Sequence, residues 1–256
     1  MAKDFQIITF YKFRDMHGLS DLSGVRDNIR TAMSECRILG TLILAVEGFN
    51  GTVCGTPDDI SIFVRRAFEI LQTEFTYKAS YNATAPFKKI DVKIKPEIVT
   101  LKRPVEISLG SGTHVKPEDW NDLISDPEVF VLDTRNDYEF RSGTFERAVN
   151  PQTEKFSDLP EFVAENLDPD RHKKIAMFCT GGIRCEKFAP YMRGLGFETV
   201  YQLEGGILKY LEDIPPDEQL WRGECYIFDK RVSVNERLEK GVSADLSQMA
   251  EGETAQ

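Results

Sequence analysis

The segment from Cys179 to Cys185 constrains this chain more than any other, because a cysteine, two glycines and an arginine fall within one short loop. Its seven residues are Cys179, Thr180, Gly181, Gly182, Ile183, Arg184 and Cys185. An apolar run of the kind that forms a buried parallel strand precedes them, and a helical pattern of apolar residues follows. The segment therefore predicts a strand, a tight loop and a helix, with Cys179 at the carboxyl end of the strand.

The predicted loop has the composition of an anion cradle. Glycines permit backbone angles at which successive N–H groups turn toward one point, and the loop meets the positive end of a helix dipole. With the guanidinium of Arg184, these groups should lower the pKa of Cys179 below the roughly 8.5 of a free cysteine. We therefore predict that Cys179 is a nucleophile at neutral pH and that residues 180–184 form its cradle, rather than a buried cysteine that merely ends a strand.

Cys185 has two interpretations, which the sequence leaves open. It lies six positions after Cys179, and across the loop it could resolve a persulfide or a sulfenate on Cys179 by forming a disulfide. Alternatively, it is a small residue that packs at the start of the helix.

Strands and helices alternate between residues 114 and 213. Helices are predicted from Lys116 and over 159–166, 185–195 and 206–212, and strands over 129–133, 147–151, 174–178 and 199–203. This alternation predicts an α/β domain with a central parallel sheet and helices on both faces. In such sheets the functional site lies at the carboxyl ends of the strands, where Cys179 is placed.

Residues 1–95 follow a different pattern. Strands are predicted over 5–13, 41–46, 51–54 and 91–94, and helices over 20–39 and from Thr56 through Leu71. The order strand, helix, strand, strand, helix, strand is that of a ferredoxin-like α+β domain. We find no constellation of ionisable residues there that looks catalytic.

Three further segments complete the predicted organisation. Residues 96–113 carry prolines and a Gly-Ser-Gly run and form a linker. Residues 214–240 form an ordered extension in which Trp221 and Phe228 pack back on a domain. Residues 241–256 are polar and poor in large apolar groups, so we predict that they are disordered.

The charge of the chain is distributed unevenly. The net charge is −10, yet seven basic and two acidic residues lie between Lys78 and Arg103. Tyr77, Tyr81 and Phe87 are interleaved with them, a composition that suits a surface that follows a phosphate backbone and stacks bases. The alternative is a solvated edge strand protected by lysines. The candidate RNA-binding residues are Lys88, Lys89, Lys93, Lys95, Lys102 and Arg103.

Several classes of protein lack support in the sequence. No apolar run approaches the roughly 20 residues of a membrane-spanning helix, and no signal-peptide pattern opens the chain. Five cysteines without a framework spacing indicate a reducing compartment, so we expect a cytoplasmic protein. The three histidines have no ligand partners at metal-binding spacing, and no dinucleotide or phosphate-loop motif is present, so we predict no metal or flavin.

The cysteine loop resembles the active-site loop of rhodanese (sulfurtransferase) domains, Cys-x-x-Gly-x-Arg. Two further segments, from Asp133 and from Gly143, are similar to that family's Asp-x-Arg and Gly-His-Ile segments, with Thr144 in place of the usual histidine, and a closing Gly-Gly turn follows Glu204. Within this resemblance we interpret Asp133 and Arg135 as residues that orient the loop by hydrogen bonds. Cysteine phosphatases have a cradle one residue longer, and the shorter loop suits a persulfide better.

The first domain, the loop and the extension from Gly223 to Val232 together resemble the rhodanese-domain tRNA uridine 5-hydroxylases, over about residues 4–240. The resemblance implies oxygen-dependent conversion of wobble uridine 34 to 5-hydroxyuridine, with Cys179 as the catalytic cysteine and the tRNA anticodon loop as partner. Molecular oxygen is then the co-substrate, while the electron donor, the set of tRNAs and the oligomeric state stay unidentified. Many members continue into a cysteine-rich tail that this sequence lacks.

Composition and spacing alone favour a second function. A rhodanese loop without a metal or flavin predicts a persulfide sulfurtransferase that takes sulfur from a donor and passes it to a thiol or tRNA acceptor. A third hypothesis is a tRNA-binding module without catalysis. For hydroxylation, we hypothesise that a Cys179 thiolate or persulfide adds to C6 of the uracil, which makes C5 electron-rich enough to react with oxygen. The uridine would be splayed out of the anticodon loop to reach it.

Overall fold

The computed structural model describes residues 5–18, 21–106 and 109–245. The chain divides into two compact units, Met1–Thr100 and Leu101–Gln256.

The first unit is a five-stranded sheet with two helices. Its elements are β1 (Phe5–Phe13), α1 (Leu22–Glu35), β2 (Leu39–Ala45), β3 (Gly48–Gly55), α2 (Pro57–Leu71), β4 (Lys78–Asn82) and β5 (Ile90–Ile94). The strand order is β4-β1-β3-β2-β5. All neighbouring pairs are antiparallel except β2 and β5, which run parallel.

Local sequence explains the two helices of this unit. Asp21 caps α1 by accepting hydrogen bonds from two backbone N–H groups of the first turn, and Thr56 caps α2 by accepting one, from the N–H of Asp59. Pro57 occupies the first turn of α2, where no N–H is required. The apolar faces of both helices are buried in one core cluster with the sheet, and the rings of Phe10 and Phe75 stack there at 4.5 Å.

The ferredoxin-like class is confirmed, but the fourth strand was assigned to the wrong segment. β4 pairs with β1 on one edge of the sheet, whereas the predicted segment, β5, pairs with β2 on the opposite edge. None of the five residues of β4 is buried, so no apolar alternation revealed that strand. α1 is shorter than the predicted 20–39, because Arg37 adopts a left-handed φ of 54° after the helix; the predicted start at Ser20 lies outside the described residues.

The second unit contains a parallel sheet. Its elements are β6 (Thr113–Val115), α3 (Pro117–Ser125), β7 (Val129–Asp133), α4 (Asp137–Ser142), β8 (Gly143–Phe145), α5 (Leu159–Asn166), β9 (Lys174–Phe178), α6 (Ile183–Gly194), β10 (Thr199–Leu203), α7 (Gly206–Asp213), β11 (Trp221–Gly223), β12 (Cys225–Tyr226) and β13 (Ser233–Val234). The strand order of the main sheet is β6-β10-β9-β7, and all of its pairs are parallel.

Two parts of this unit differ from the sequence prediction. β6 begins at the last residue of the segment predicted as a linker and forms the edge of the parallel sheet. The strand predicted over 147–151 is reduced to one bridge between Val149 and Leu132, and Arg147 has a φ of 63°. The strand in this region is β8, which pairs with β11 in a separate two-stranded sheet.

The extension beyond α7 is ordered. Of the two aromatic residues predicted to pack on a domain, only Trp221 is buried in the core. Trp221 is buried, and its ring lies 5.1 Å from that of Phe145. The prediction fails for Phe228, which is 62% exposed.

The segment predicted as a disordered tail starts with hydrogen-bonded backbone. The N–H groups of Val242 and Ser243 donate to the carboxylate of Glu224, and the Tyr226 hydroxyl bonds to Asp245. Burial would raise the pKa of Glu224, but hydrogen bonds from the Ser233 and Ser243 hydroxyls and from these two N–H groups to Glu224 outweigh it and lower the pKa to about 2. The rest of the predicted tail, residues 246–256, lies outside the described residues.

Among the described residues, no helix is both long and apolar enough to cross a membrane.

Candidate active site

Cys179 follows the last residue of β9 and lies at the carboxyl edge of the parallel sheet, with a side chain that is 1% exposed. Its sulfur accepts a hydrogen bond of 3.1 Å from the backbone N–H of Gly182. Gly182 has a φ of 100°, which a residue with a side chain rarely adopts. The loop therefore has the geometry of the predicted cradle.

The groups around the Cys179 sulfur stabilise a thiolate. Burial alone would raise the pKa of Cys179, but hydrogen bonds from the Cys185 thiol and the loop N–H groups, with the positive charge of Arg184, outweigh it. They hold the pKa of Cys179 well below the 9.0 of an ordinary thiol.

Cys185 lies close enough to Cys179 for the two groups to shift each other's pKa. Burial and the neighbouring thiolate raise the pKa of Cys185 well above its ordinary value, so Cys185 stays protonated beside Cys179. The Thr134 hydroxyl lies 3.5 Å from the Cys185 sulfur and donates to the Phe178 carbonyl at 2.9 Å. The structure thus places two buried cysteines near each other, and Cys179 is the one stabilised as a thiolate.

Arg184 is held by a residue that sequence reasoning missed. Glu139 is wholly buried and forms a two-pronged ion pair with Arg184, in which both N···O distances are 2.7 Å. Burial disfavours both charges, but their mutual attraction outweighs it, so the pKa of Glu139 is lowered and that of Arg184 is raised. Glu139 also accepts a hydrogen bond of 3.1 Å from the backbone N–H of Asn136, which caps the start of α4.

Asp133 and Arg135 form a second buried ion pair, with an N···O distance of 2.6 Å. Arg135 also donates to the Gly143 carbonyl at 2.6 Å, and its guanidinium lies 5.3 Å from the ring of Trp221. Thr144, where the resembling family usually has histidine, donates to Asp133 at 3.1 Å. These contacts join the end of β7 to β8 and β11. That the Asp133–Arg135 pair orients the cysteine loop stays a prediction.

The closing Gly-Gly turn supports the cysteine loop from the other side. The N–H groups of Ile207 and Leu208 donate to the carbonyls of Cys179 and Thr180 at 3.0 and 3.1 Å. Gly206 has a φ of 68°, and a Cβ atom there would lie 2.5 Å from the Cys179 oxygen. A side chain at this position would therefore displace the loop.

The extension also reaches the loop. The Thr180 hydroxyl lies 3.4 Å from Glu139 and 3.5 Å from the Tyr226 carbonyl of β12. The ring of Phe228 lies 5.9 Å from the Arg184 guanidinium.

Within the first unit, the basic stretch is divided between two edges of the sheet. Lys78 is on β4 and Lys93 is on β5, at opposite edges of a five-stranded sheet, which places them about 19 Å apart at ordinary strand spacing. The candidates Lys88, Lys89, Lys93 and Lys95 are exposed on or beside β5, and Lys93 is paired with Asp91 at 2.7 Å. Lys102 and Arg103 are exposed and belong to the second unit. Their binding of RNA stays a prediction.

The remaining cysteines are buried thiols. Cys36 and Cys54 lie in the first unit, and burial raises the pKa of Cys225 to about 12. Within residues 5–18, 21–106 and 109–245, no group of three or more histidine, cysteine or carboxylate side chains is arranged to hold a metal ion.

A parallel sheet that presents a stabilised thiolate in a loop of backbone N–H groups defines the second unit as a rhodanese-type domain. Sequence profiles agree: residues 116–213 match the rhodanese-like domain, and residues 5–98 match the UPF0176 acylphosphatase like domain.

A tRNA uridine(34) hydroxylase from a Picosynechococcus species is 49% identical to this chain over 241 residues, which are 93% of this chain and 80% of the relative. This chain belongs to the tRNA uridine(34) hydroxylase family.

Solved structures resemble parts of the chain. A rhodanese-like domain from an Anabaena species is 20% identical, covering 43% of this chain and 78% of its own, with a TM-score of 0.36. An acylphosphatase from Coxiella burnetii is 15% identical, covering 36% of this chain and 95% of its own, with a TM-score of 0.27.

Proposed function

We propose that this protein hydroxylates uridine 34 of tRNA to 5-hydroxyuridine, in an oxygen-dependent reaction that uses the thiolate of Cys179. Its membership of the tRNA uridine(34) hydroxylase family supports the reaction and the substrate. The stabilised thiolate is the observation in this structure that supports the chemistry. The tRNA would enter by its anticodon loop, and the reaction would take place in the cytoplasm.

The first step uses the cysteine as a nucleophile. Addition of the Cys179 sulfur to C6 of the uracil forms a carbon–sulfur bond and moves an electron pair to C5. C5 then bonds to molecular oxygen, and uptake of one proton gives a hydroperoxide at C5. The cradle N–H groups are placed to stabilise Cys179 as a thiolate before the addition and again as the leaving group.

The second step needs two electrons, and in this proposal Cys185 delivers them. Attack of the Cys185 thiol on the peroxide leaves a hydroxyl on C5 and a sulfenic acid on Cys185. Loss of the C5 proton expels Cys179 from C6 and restores the double bond. The freed Cys179 thiolate then attacks the Cys185 sulfenic acid, which forms a disulfide and releases hydroxide. An external thiol reductant would restore the pair.

We expect the Cys179–Cys185 pair to limit the enzyme to one product per active site when no reductant is present. Trypsin cleaves after Arg184, so the oxidised pair would appear as two peptides joined by a disulfide, detectable by mass spectrometry without reduction. Cys185→Ser should form neither this species nor product above background. Hydroxylation by Cys185→Ser at the wild-type rate would contradict the role of Cys185 while leaving that of Cys179 intact.

The basic residues beside β5 provide a separate test of RNA binding. Charge reversal of Lys88, Lys89 and Lys93 to glutamate should weaken tRNA binding, and the slope of log K against log salt should become shallower by about 2 to 3 if each lysine contacts one phosphate. The measurement is filter binding or anisotropy over a salt series.

The matched control is charge reversal of Arg26, Arg30 and Arg65 on the helices, which changes the net charge equally and also includes one ion-paired residue, Arg26. Equal losses in the two triple variants would mean that binding responds to total charge rather than to this edge of the sheet.

Nucleoside mass spectrometry under isotopically heavy oxygen gas tests the reaction itself. Hydroxylation and thiolation add nearly the same nominal mass, so the label distinguishes them. Heavy oxygen in the uridine of wild-type reactions supports the proposal. Unlabelled product that contains sulfur, formed only with a persulfide donor, would show that the loop performs sulfur transfer instead.

A further inference from the structure

The tip of the hairpin between β12 and β13 presents a large apolar side chain to solvent beside the active site. Phe228 is 62% exposed, and its ring lies 5.9 Å from the guanidinium of Arg184, a residue of the cysteine loop. Exposing an aromatic side chain of this size to water is energetically unfavourable. Its exposure next to a reactive cysteine therefore requires an explanation.

The hairpin is built to hold this ring in place. Asp229 and Arg231 form an ion pair with an N···O distance of 2.7 Å across the tip, and both side chains are buried. The Ile227 N–H donates to the Val232 carbonyl at 2.8 Å. The tip is therefore closed by its own contacts, and the ring is presented with little freedom to lose on binding.

The ring also rests on anchored aromatic neighbours. Tyr226 is buried, its ring lies 5.4 Å from that of Phe228, and on its other side it contacts Tyr138 at 5.0 Å. The Tyr226 carbonyl faces the Thr180 hydroxyl of the cysteine loop at 3.5 Å. Phe228 is thus the outermost member of an aromatic series that is fixed to the loop.

A contact with Arg184 does not account for this arrangement. A cation–π contact covers only the part of the ring that faces the guanidinium. Most of the Phe228 ring still faces solvent. A planar base stacked on that ring would cover it, and such stacking accepts any base because every base has a flat face. Lys230, two residues along at the same tip, is exposed and adds a positive charge suited to a nucleic-acid phosphate.

We propose that Phe228 is a base-stacking residue for the tRNA, which holds the target uridine or its neighbour unstacked from the anticodon loop beside Cys179. This inference rests on the proposed function and adds the residue that positions the base. Phe228 would act on the splayed nucleotide, and Lys230 would contact the phosphate next to it.

The test compares Phe228→Ala and Phe228→Trp with Leu195→Ala in steady-state hydroxylation of an anticodon stem-loop. Leu195 is also an exposed apolar residue, but it ends α6 at the opposite end from the cysteine loop. Phe228→Ala should lose roughly 5- to 150-fold in kcat/KM, the range that base–aromatic stacking spans in alanine substitutions. Phe228→Trp should keep most of the activity, and Leu195→Ala all of it.

A second measurement separates stacking from a structural effect through Arg184. The rate of Cys179 alkylation by iodoacetamide against pH should be the same in wild type and Phe228→Ala. A shifted profile, or equal activity of Phe228→Ala and wild type, would overturn the proposal.

Failure of the proposed function would be recognised differently, because the wild-type protein would then form no 5-hydroxyuridine. In that case, binding of a stem-loop that carries 2-aminopurine at position 34 tests whether Phe228 stacks on the base. Quenching of its fluorescence by wild type and not by Phe228→Ala supports stacking, and equal quenching contradicts it.

Discussion

Cys179→Ser is expected to abolish hydroxylation, with a loss on the order of 10⁴-fold or more, as when the nucleophile of an enzyme is removed. The cradle stabilises a thiolate, and a serine hydroxyl in the same position stays protonated at neutral pH, so C6 of the uracil would receive no attack. The measurement is 5-hydroxyuridine formed in stem-loop tRNA with excess reductant and oxygen.

The control is Cys36→Ala, which removes a buried thiol from the first unit. It should retain hydroxylation. Iodoacetamide should modify Cys179 in the wild type at pH values well below the ordinary thiol pKa of 9.0, because the thiolate persists there. Product formation by Cys179→Ser at a rate comparable to the control would remove the nucleophile from the mechanism.

Glu139→Gln should produce a large loss of stability although it preserves the shape of the side chain. The change leaves the buried Arg184 guanidinium without its counter-charge, and breaking a buried ion pair in this way costs about 3–5 kcal/mol. For a unit of this size that corresponds to a fall in Tm of about 6 to 20 °C by calorimetry. Hydroxylation should fall as well, because the guanidinium beside the cradle loses its fixed position.

Two comparisons test whether the loss of stability in Glu139→Gln comes from the unpaired buried charge. Glu146→Gln breaks the exposed pair with Arg222 and should change Tm by less than about 2 °C. Combining Glu139→Leu with Arg184→Met removes both buried charges and should recover part of the stability lost in the single variant. An unchanged Tm in Glu139→Gln would show that the pair does not support the loop.

The centre of the site could be predicted from the sequence because its parts are adjacent in the chain. Cys179, the glycines and Arg184 fall within six positions, so the cradle and the lowered pKa followed from local reasoning alone. Glu139 could not be found in this way, since it lies 45 positions from its partner Arg184 and reads locally as a helix cap. Thr134, which contacts Cys185, was missed for the same reason.

The fold shows the same division between local and distant information. β1, α2 and β9 carry strong apolar patterns and were predicted close to their observed bounds. β4 lies at a sheet edge with no buried residue, so its alternation is absent from the sequence. The exposure of Phe228 was also not predictable, because composition favours burial of aromatic residues.

The burial of Cys179 bears on how long such an enzyme survives its own reaction. Thiolates are the form of cysteine that over-oxidises most readily, and sulfinic and sulfonic acids on a catalytic sulfur are terminal damage. In the protein without bound tRNA, Cys179 is only 1% exposed, so oxidants in solution reach its sulfur slowly. Under the proposed mechanism, arrival of the tRNA base would uncover the sulfur further, so the thiolate would be most accessible when a substrate is present to consume it. The closed loop would then act as a safeguard as well as a cradle.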